Sequence, residues 1–470
     1  MTFPQHAGGS GRTQAFSIDL FTDGSSISGG MFFGTANFGD SISLTSTNDA
    51  DGFIAKLNSN GSFAWATKIG GTSSVRVSDV SALSDGSSII TGLWSGTATF
   101  GGTTFTTNPT NYNDGFIAKL DSNGNFLWVT QVGSTQSDEP AAITTLSDGS
   151  SLVTGSFSGT VTFGSTSLTS TNHLREIFIT KLNADGDFVW ATKAGGGGHD
   201  HGKDIVALSD GSCIITGDFA SNATFGSVTL QEYGSSSAFI TKIDADGNFV
   251  WSTKAGEPTC CSSDSVYGYG VSALNDGSSL FTGKFKGSVS FGDNTLTSQN
   301  SSDDIFVAKV DSNGNFVWVT QAGGTSTELG QSITVLSDGS SLITGQFQGT
   351  ATFGSTTLSS AGSSDIFVAK LDANGNFLWA TKAGGTSSDY GIDLAALSDG
   401  SSIITGDING TASFGSDDLT SPGSSDAFVA AMSVNGSWSS LLVSKPTISS
   451  ASYNVSSGTL EITGTNFSAY

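Results

Sequence analysis

The residues that could do chemistry are few and irregularly placed. In the run GGGGHDHGKD, residues 195–204, His199, Asp200 and His201 stand together on glycine-rich chain. They could offer two or three ligands to a metal, but zinc sites want four, and His173 is the single remote partner that suggests itself. The run therefore reads as an exposed polar loop, and no metal site is expected. Cys260 and Cys261 are adjacent, so they could form a strained vicinal disulfide or stay free. No neighbouring histidine is available to activate a thiolate there. Cys213 replaces a serine of a DGSS turn and reads as packed. Glutamate is scarce; Glu139 and Glu328 could be imagined as a carboxylate pair for glycoside chemistry, but nothing in the spacing sets their separation. The turns DSNG, DADG and DANG look like the opening of a calcium loop without its later glutamate. They are read as hairpin turns, weak calcium binding by Asp-rich loops is left open, and no other cofactor is expected.

The chain that must position these groups has 470 residues, 63 of them glycine, and carries 41 acidic against 17 basic side chains for a formal charge of −24. Phosphate recognition demands clustered Lys and Arg, so nucleic acid and anionic lipid are excluded as partners. No apolar run approaches the ~18 residues that span a membrane as a helix. Three cysteines cannot make a disulfide framework, so the fold must rest on a packed core, made bulky by 32 Phe and 8 Trp.

Internal repeats decide the fold. Tryptophan recurs at Trp65, Trp128, Trp190, Trp251, Trp318, Trp379 and Trp438. The Asp of a DGS turn recurs in step at Asp23, Asp85, Asp148, Asp210, Asp276, Asp338 and Asp399. The clearest copy spans residues 331–390. It reads as strand QSITVL, turn SDG, strand SSLITGQF, the small hairpin TATFGSTTL, strand DIFVAKL, turn DANG and strand NFLWATKAGG. Val, Ile, Phe and Thr fill the strands, and Asp-Gly and Asn-Gly fill the turns, where glycine supplies positive φ. Both faces of the third strand are apolar, as expected of a sheet covered on both sides. The expected fold is all-β: a seven-bladed β-propeller with four antiparallel strands per blade plus a small hairpin between the second and third strands. It is assigned to residues 1–443. Lys56, Lys119, Lys181, Lys242, Lys309 and Lys370 recur on the third strand, and Asp121, Asp244, Asp311 and Asp372 follow two positions later. Residues two apart share a strand face, so Lys–Asp pairs of structural purpose are expected.

The pattern DGSSLITGxF…FGSxxL…SSDxFVAKLDxNGNFxW…AGG resembles the seven-bladed β-propeller repeat family of bacterial secreted and surface proteins, through Thr344-Gly345, Asp365 to Leu371 and Gly384-Gly385. The resemblance implies a fold and an extracellular or cell-surface setting, and it supplies no catalytic residues. After Lys445-Pro446 the stretch TISSASYNVSSGTLEITGTNFSAY reads as two strands and resembles the opening hairpin of an immunoglobulin-like repeat. Residues 444–470 are accordingly expected to be a linker and the truncated start of a following module. The amino-terminal FPQHAGG aligns with a fourth strand. It could complete the last blade, which has its own candidate in SWSSLLV, or be left from a preceding unit.

In this architecture the SDG and DANG turns share a tight face, and the hairpins and interblade loops share the opposite, loop face. Tyr112, Tyr233, Tyr267, Tyr269 and Tyr390 all fall on loop-face segments, as do His173, Arg175, His199 and His201. Such side chains combine contact area with a polar tip and suit recognition. The expectation is a non-enzymatic binding or scaffold module, monomeric within a longer chain, that holds a glycan or protein on the loop face. Two alternatives stand beside it: a loop-face glycoside hydrolase or lyase, and a passive spacer in a large adhesin.

Overall fold

The structure is a computed structural model that describes residues 4–47, 49–107, 112–232, 235–258, 264–397, 399–439, 447–454 and 459–465. Its elements are almost all strands, grouped into four-stranded antiparallel sheets whose first strands touch one another in sequence around a central axis. The first blade shows the plan: Thr13–Leu20 is innermost, then Ser26–Phe32, Asp51–Leu57 and, outermost, Phe63–Gly71.

The expected seven-bladed propeller is corrected. Six blades, not seven, are complete units of four strands drawn from one continuous stretch of chain, running through Gly71, Val132, Gly196, Ala255, Gly324 and Gly385 in turn. The remaining strands, Tyr390–Ala396, Ser402–Ile408 and Asp426–Met432, have no full fourth strand of their own among the described residues, the expected SWSSLLV lying mostly outside them. Trp438–Ser439 pairs with Met432 and Ala431 at the tight-face end. The loop-face end of that edge is taken by the amino-terminal strand Gln5–Gly9, through Gln5↔Val429, His6↔Phe428 and Ala7↔Ala427. The ring therefore closes with a composite sheet whose outer strand is assembled from both ends of the propeller. Across this seam Gln14 Nε2 donates to Asp407 at 2.6 Å and the Ile18 amide to Asp393 at 2.9 Å.

The small hairpin has its expected place in the chain but a partner that the sequence does not reveal. It lies between the second and third strands in sequence and, except at Thr160–Thr169, pairs with the outer strand of the preceding blade. The hairpin Thr350–Phe353 and Thr356–Ser359 joins Phe316–Gly324 through Gly323↔Thr352 and Gly324↔Ala351. Its apolar side packs on its own blade, with Phe353 4.8 Å from Phe367 and 5.7 Å from Phe377. The hairpin is thus a wedge that hydrogen-bonds one blade and stacks on the next. The AGG sequence exists for this contact, since a Cβ on Gly324 would stand 1.9 Å from the Thr350 carbonyl oxygen.

The repeated tryptophan makes a second interblade contact, on the tight face. Trp128 Nε1 donates to the Ala184 carbonyl at 3.1 Å, and Thr130 Oγ1 to the Gly186 carbonyl at 2.8 Å, both in the NADG turn of the next blade. Trp65, Trp190, Trp251 and Trp318 repeat the indole bond. These rings are half-buried, and Trp94 is the largest side chain in the fully buried core.

The third-strand lysines do not take the expected partners. Lys242 Nζ lies 3.7 Å from Asp210 of the DGS turn, while Asp244 accepts from Asn248 within its own turn. Asp23, Asp85, Asp148, Asp210, Asp276 and Asp338 are held below their usual carboxylate range, first by the serine hydroxyl two positions later, with the lysine charge adding to it, as at Asp85 beside Lys119. The DGS and Asx turns thus use their carboxylates to bond their own backbone. Thr447–Asn454 and Thr459–Thr465 pair as a hairpin.

Gly186 has φ +87°, and a Cβ there would meet the Trp128 ring at 2.7 Å. Gly186→Ala should therefore cost about 2–4 kcal/mol of unfolding free energy, from left-handed backbone strain plus displacement of the indole. Gly102→Ala, where nothing stands within 4 Å of the added carbon, should stay within about 0.5 kcal/mol. Urea midpoints of the two variants check the difference; equal midpoints would refute the role given to the contact between Trp128 and the Gly186 turn.

Candidate functional site

Each inner strand carries one β-bulge, seen as a register shift against its partner between Ala15 and Ser17, Val77 and Asp79, Pro140 and Ala142, Gly202 and Asp204, Gly268 and Gly270, Gly330 and Ser332, and Gly391 and Asp393. A bulge re-aims the extra side chain. Here the extra residues are Phe16, Ser78, Ala141, Lys203, Tyr269, Gln331 and Ile392, and all of them line one axial cavity of about 520 Å³. A larger groove of about 730 Å³ lies beneath the hairpin Thr97–Thr106, but Lys68 is the one titratable group on its walls.

The mouth of the axial cavity on the loop face is charged. Arg175 grips Glu139 with both terminal nitrogens, at 2.6 and 2.7 Å. Arg76 lies over the Phe16 ring at 4.1 Å, and its Nε finds no acceptor among the described residues. Burial holds the Arg76 guanidinium below its usual pKa, and the charge of Glu139 opposes that shift. His201 Nδ1 lies 3.0 Å from Asp218. Burial, with Asp218 nearby, pushes the Tyr269 phenol upward.

Of the site residues expected from sequence, Arg175, His201 and Tyr269 meet at this mouth. His199 Nδ1 lies 3.4 Å from the Arg175 amide, and His173 Nδ1 lies 3.2 Å from Gln136 Nε2. Tyr267 stands beside Lys284 instead, 5.3 Å from its ammonium. Tyr390 begins the inner strand of the composite sheet, and Tyr112 is exposed before the third strand of its blade. Tyr233, Cys260 and Cys261 lie outside the described residues. The His199–Asp200–His201 run does not act as a unit, because Asp200 is buried and accepts the amides of Gly196 and Ala220. Among the described residues no three of His, Cys, Asp and Glu converge to hold a metal. Glu139 and Glu328 are not a pair either. Glu139 is at the mouth, whereas Glu328 is buried in a blade junction, where it accepts the Gly324 amide. Burial first, then the charge of Asp304, pushes Glu328 up to about 8. Cys213 is buried and free, and burial pushes its thiol up to about 12.

Sequence reasoning missed Phe16, Lys203 and, deeper in the channel, a belt of aspartates. Asp79, Asp204 and Asp393 directly follow the bulge, six positions before the turn aspartates Asp85, Asp210 and Asp399. That spacing was the available signal. Each reaches the next blade: Asp79 accepts the Ile143 amide, Asp204 that of Val271 and Asp393 that of Ile18. Asp19 does the same with Ala82. Ser17 and Ser332 hydroxyls donate to Asp79 and Asp393. The belt stitches blades together around the axis and is also the acidic floor of the cavity.

No family model matches the chain. A curated protein of Acanthamoeba polyphaga mimivirus, described as an uncharacterized WD repeat-containing protein, is 24% identical over 360 residues, which is 62% of this chain and 26% of that one. The chain thus spans about a quarter of the length of that relative. Among solved structures, the Pan2 WD40 domain of Neurospora crassa is 10% identical with a TM-score of 0.44, covering 92% of this chain and 89% of its own. Sqt1 from Chaetomium thermophilum is 10% identical with a TM-score of 0.36, covering 77% and 82%. Among the described residues no helix is long and apolar enough to cross a membrane.

The belt makes stability depend on pH. Burial pushes Asp19 up to about 6 and Asp204 to about 7, and raises Asp79 and Asp393 as well. A carboxyl whose folded pKa exceeds its unfolded value of roughly 3.9 binds its proton more tightly when folded. The folded chain then holds more protons than the unfolded chain between about pH 4 and 7, so stability falls as pH rises through that window. The melting temperature should be higher at pH 5 than at pH 8, and Asp204→Asn should shrink the difference. A profile unchanged by that substitution would show that the belt does not titrate in this way.

Proposed function

We propose that the chain is a non-enzymatic binding and scaffold module that seats a protein partner at the loop-face mouth of its axial cavity. The observation that carries this reading is the bulge on every inner strand, which sends one side chain from each into a single cavity. Catalysis does not need such a collar, whereas recognition does: Phe16, Tyr269 and Ile392 supply area, and Arg76, Arg175 and Lys203 supply charge that a partner's carboxylates would satisfy. Arg76 in particular keeps a buried donor without an acceptor among the described residues. Buried donors of this kind are costly until a partner completes them. The alternative of a glycoside hydrolase rested on Glu139 and Glu328, which the fold keeps in different places.

The setting is part of the same proposal. An acidic chain with three cysteines and abundant Ser, Thr, Asn and Gly suits a secreted or surface-attached module, followed by a further domain that the final hairpin would begin. A glycan in place of a protein partner is an outcome of the test.

The test is an array of surface proteins and glycans probed with the chain and with Tyr269→Ala and Lys203→Ala. The expected result is binding to a protein that weakens about 30-fold in Tyr269→Ala, as for an aromatic hot spot, while the melting temperature moves by no more than about 2 °C, as for a change outside the core. A captured glycan would replace the protein as partner. Binding unaffected by either substitution would place the contact away from this mouth, and none across the array would leave the ring a passive spacer.

A further inference from the structure

Each inner strand has an equivalent position two residues before its bulged residue, and three polar side chains placed there find a partner. Gln14 Nε2 donates to Asp407 at 2.6 Å, Glu139 takes both terminal nitrogens of Arg175, and His201 Nδ1 lies 3.0 Å from Asp218. Arg76 is the charged side chain of this set that has none. The residue across from it is Leu93, where the fourth blade has Asp218 and the composite sheet has Asp407. The Arg76 Nε is buried without an acceptor, and the guanidinium makes no hydrogen bond or ion pair among the described residues. The Phe16 ring beneath it, at 4.1 Å, offers no oxygen.

The acids around the cavity are already committed. Both oxygens of Glu139 go to Arg175. Asp79 accepts the Ser17 hydroxyl and the Ile143 amide, and Asp204 accepts the Val271 amide. Lys203, the bulged residue of the fourth blade, makes no ion pair among the described residues either. In a chain of formal charge −24 these two cations stay unpaired, and both line the axial cavity. Arg76 is only half-buried, so an occupant of the cavity can reach it.

A guanidinium is a planar fork that matches the two oxygens of a carboxylate. The walls say which carboxylate. Around the mouth, the second to fourth blades bring Arg76, Arg175 and Lys203, while the fifth round to the first bring the larger apolar surfaces of Tyr269, Ile392 and Phe16. The aspartate belt is the floor. We propose that the cavity takes the carboxyl terminus of a partner protein, with Arg76 binding the terminal carboxylate and the apolar arc holding the side chain of the last residue. This rests on the reading that the mouth seats a protein. A chain end brings a carboxylate and an apolar side chain on one residue. An internal Asp or Glu brings only the carboxylate, and its chain would have to enter and return through one mouth of a cavity of about 520 Å³.

The test uses the full chain and immobilised short peptides of random sequence with free carboxyl termini, each beside its amidated twin. Equilibrium binding and thermal melting are the readouts. Free-ended peptides with an apolar last residue should bind, and amidation should weaken them about 30-fold or more, as when one member of a desolvated charge pair is neutralised. Leu93→Asp installs the acceptor that two other sheets carry, so it should fold, melt no lower than the parent and lose the preference for a free carboxylate. Arg76→Met should lose it too, and should melt at or above the parent because it removes a cation without a partner. Equal binding of free and amidated peptides, or of neither, would overturn the inference; surface proteins still held through Tyr269 would then leave the mouth a protein site of another kind. Binding through an internal Asp or Glu, indifferent to amidation but lost in Leu93→Asp, would overturn the chain end in favour of a side-chain carboxylate. A melting temperature lower by more than about 5 °C in Arg76→Met would make Arg76 a support of the fold instead.

Discussion

A blade with two apolar faces is stable only when another blade covers each of them, and this requirement governs the rest of the molecule. It forbids a free end, so the propeller must close, and closure has to be made from a chain with two termini. The solution is a divided outer strand, with Trp438–Ser439 at one end and Gln5–Gly9 at the other. The amino-terminal piece also pairs with the hairpin strand Thr35–Phe38 of the first blade, so a single five-residue strand holds both sides of the seam. Near the axis Asp393 and Asp407 repeat across the seam the kind of bond that Asp79 and Asp204 make elsewhere. Covalent continuity is therefore unnecessary where the ring closes.

The bulges connect this structural requirement to the site. One extra residue in each inner strand lets the following side chain turn sideways to the neighbouring blade while the extra one turns to the axis. Ser78 and Asp79 show the division, as do Lys203 and Asp204: the first of each pair lines the cavity, and the second bonds the next inner strand. The stitching of blades and the presentation of a collar of side chains are two results of one backbone irregularity. It also explains why the collar can vary freely, from Ala141 to Tyr269, whereas the strands around it cannot.

The sequence made much of this legible. Tryptophan and turn spacing located the strands, and the Gly-rich ends of the outer strands marked where backbone approaches backbone. Features that depend on a partner distant in the chain were not legible. The hairpin reads as part of its own blade because its Phe353 does pack there, yet its hydrogen bonds go to the previous one. Lys242 reads as a partner of Asp244 by strand alternation, but the DGS turn brings Asp210 closer. Tyr267 and Tyr269 both read as loop-face residues, and strand alternation alone would put them on one side of the sheet. The bulge between Gly268 and Gly270 breaks that alternation, and a one-residue shift reverses which face a side chain takes. Tyr269 therefore enters the cavity while Tyr267 lies against Lys284.

In a repeated structure, a residue that departs from the pattern can be compared with its equivalents in the same chain. Gln14, Glu139 and His201 show what a polar side chain at their point of the inner strand requires, because each reaches a partner. Arg76 then stands out, since Leu93 across from it offers no acceptor. The same comparison separates the DGS aspartates, which satisfy their own turns in every copy, from Arg76, which leaves a donor unsatisfied. Of 41 acidic side chains, the turn copies are accounted for by the backbone that they bond. The charge left over at Arg76 lines the axial cavity, where a partner can reach it.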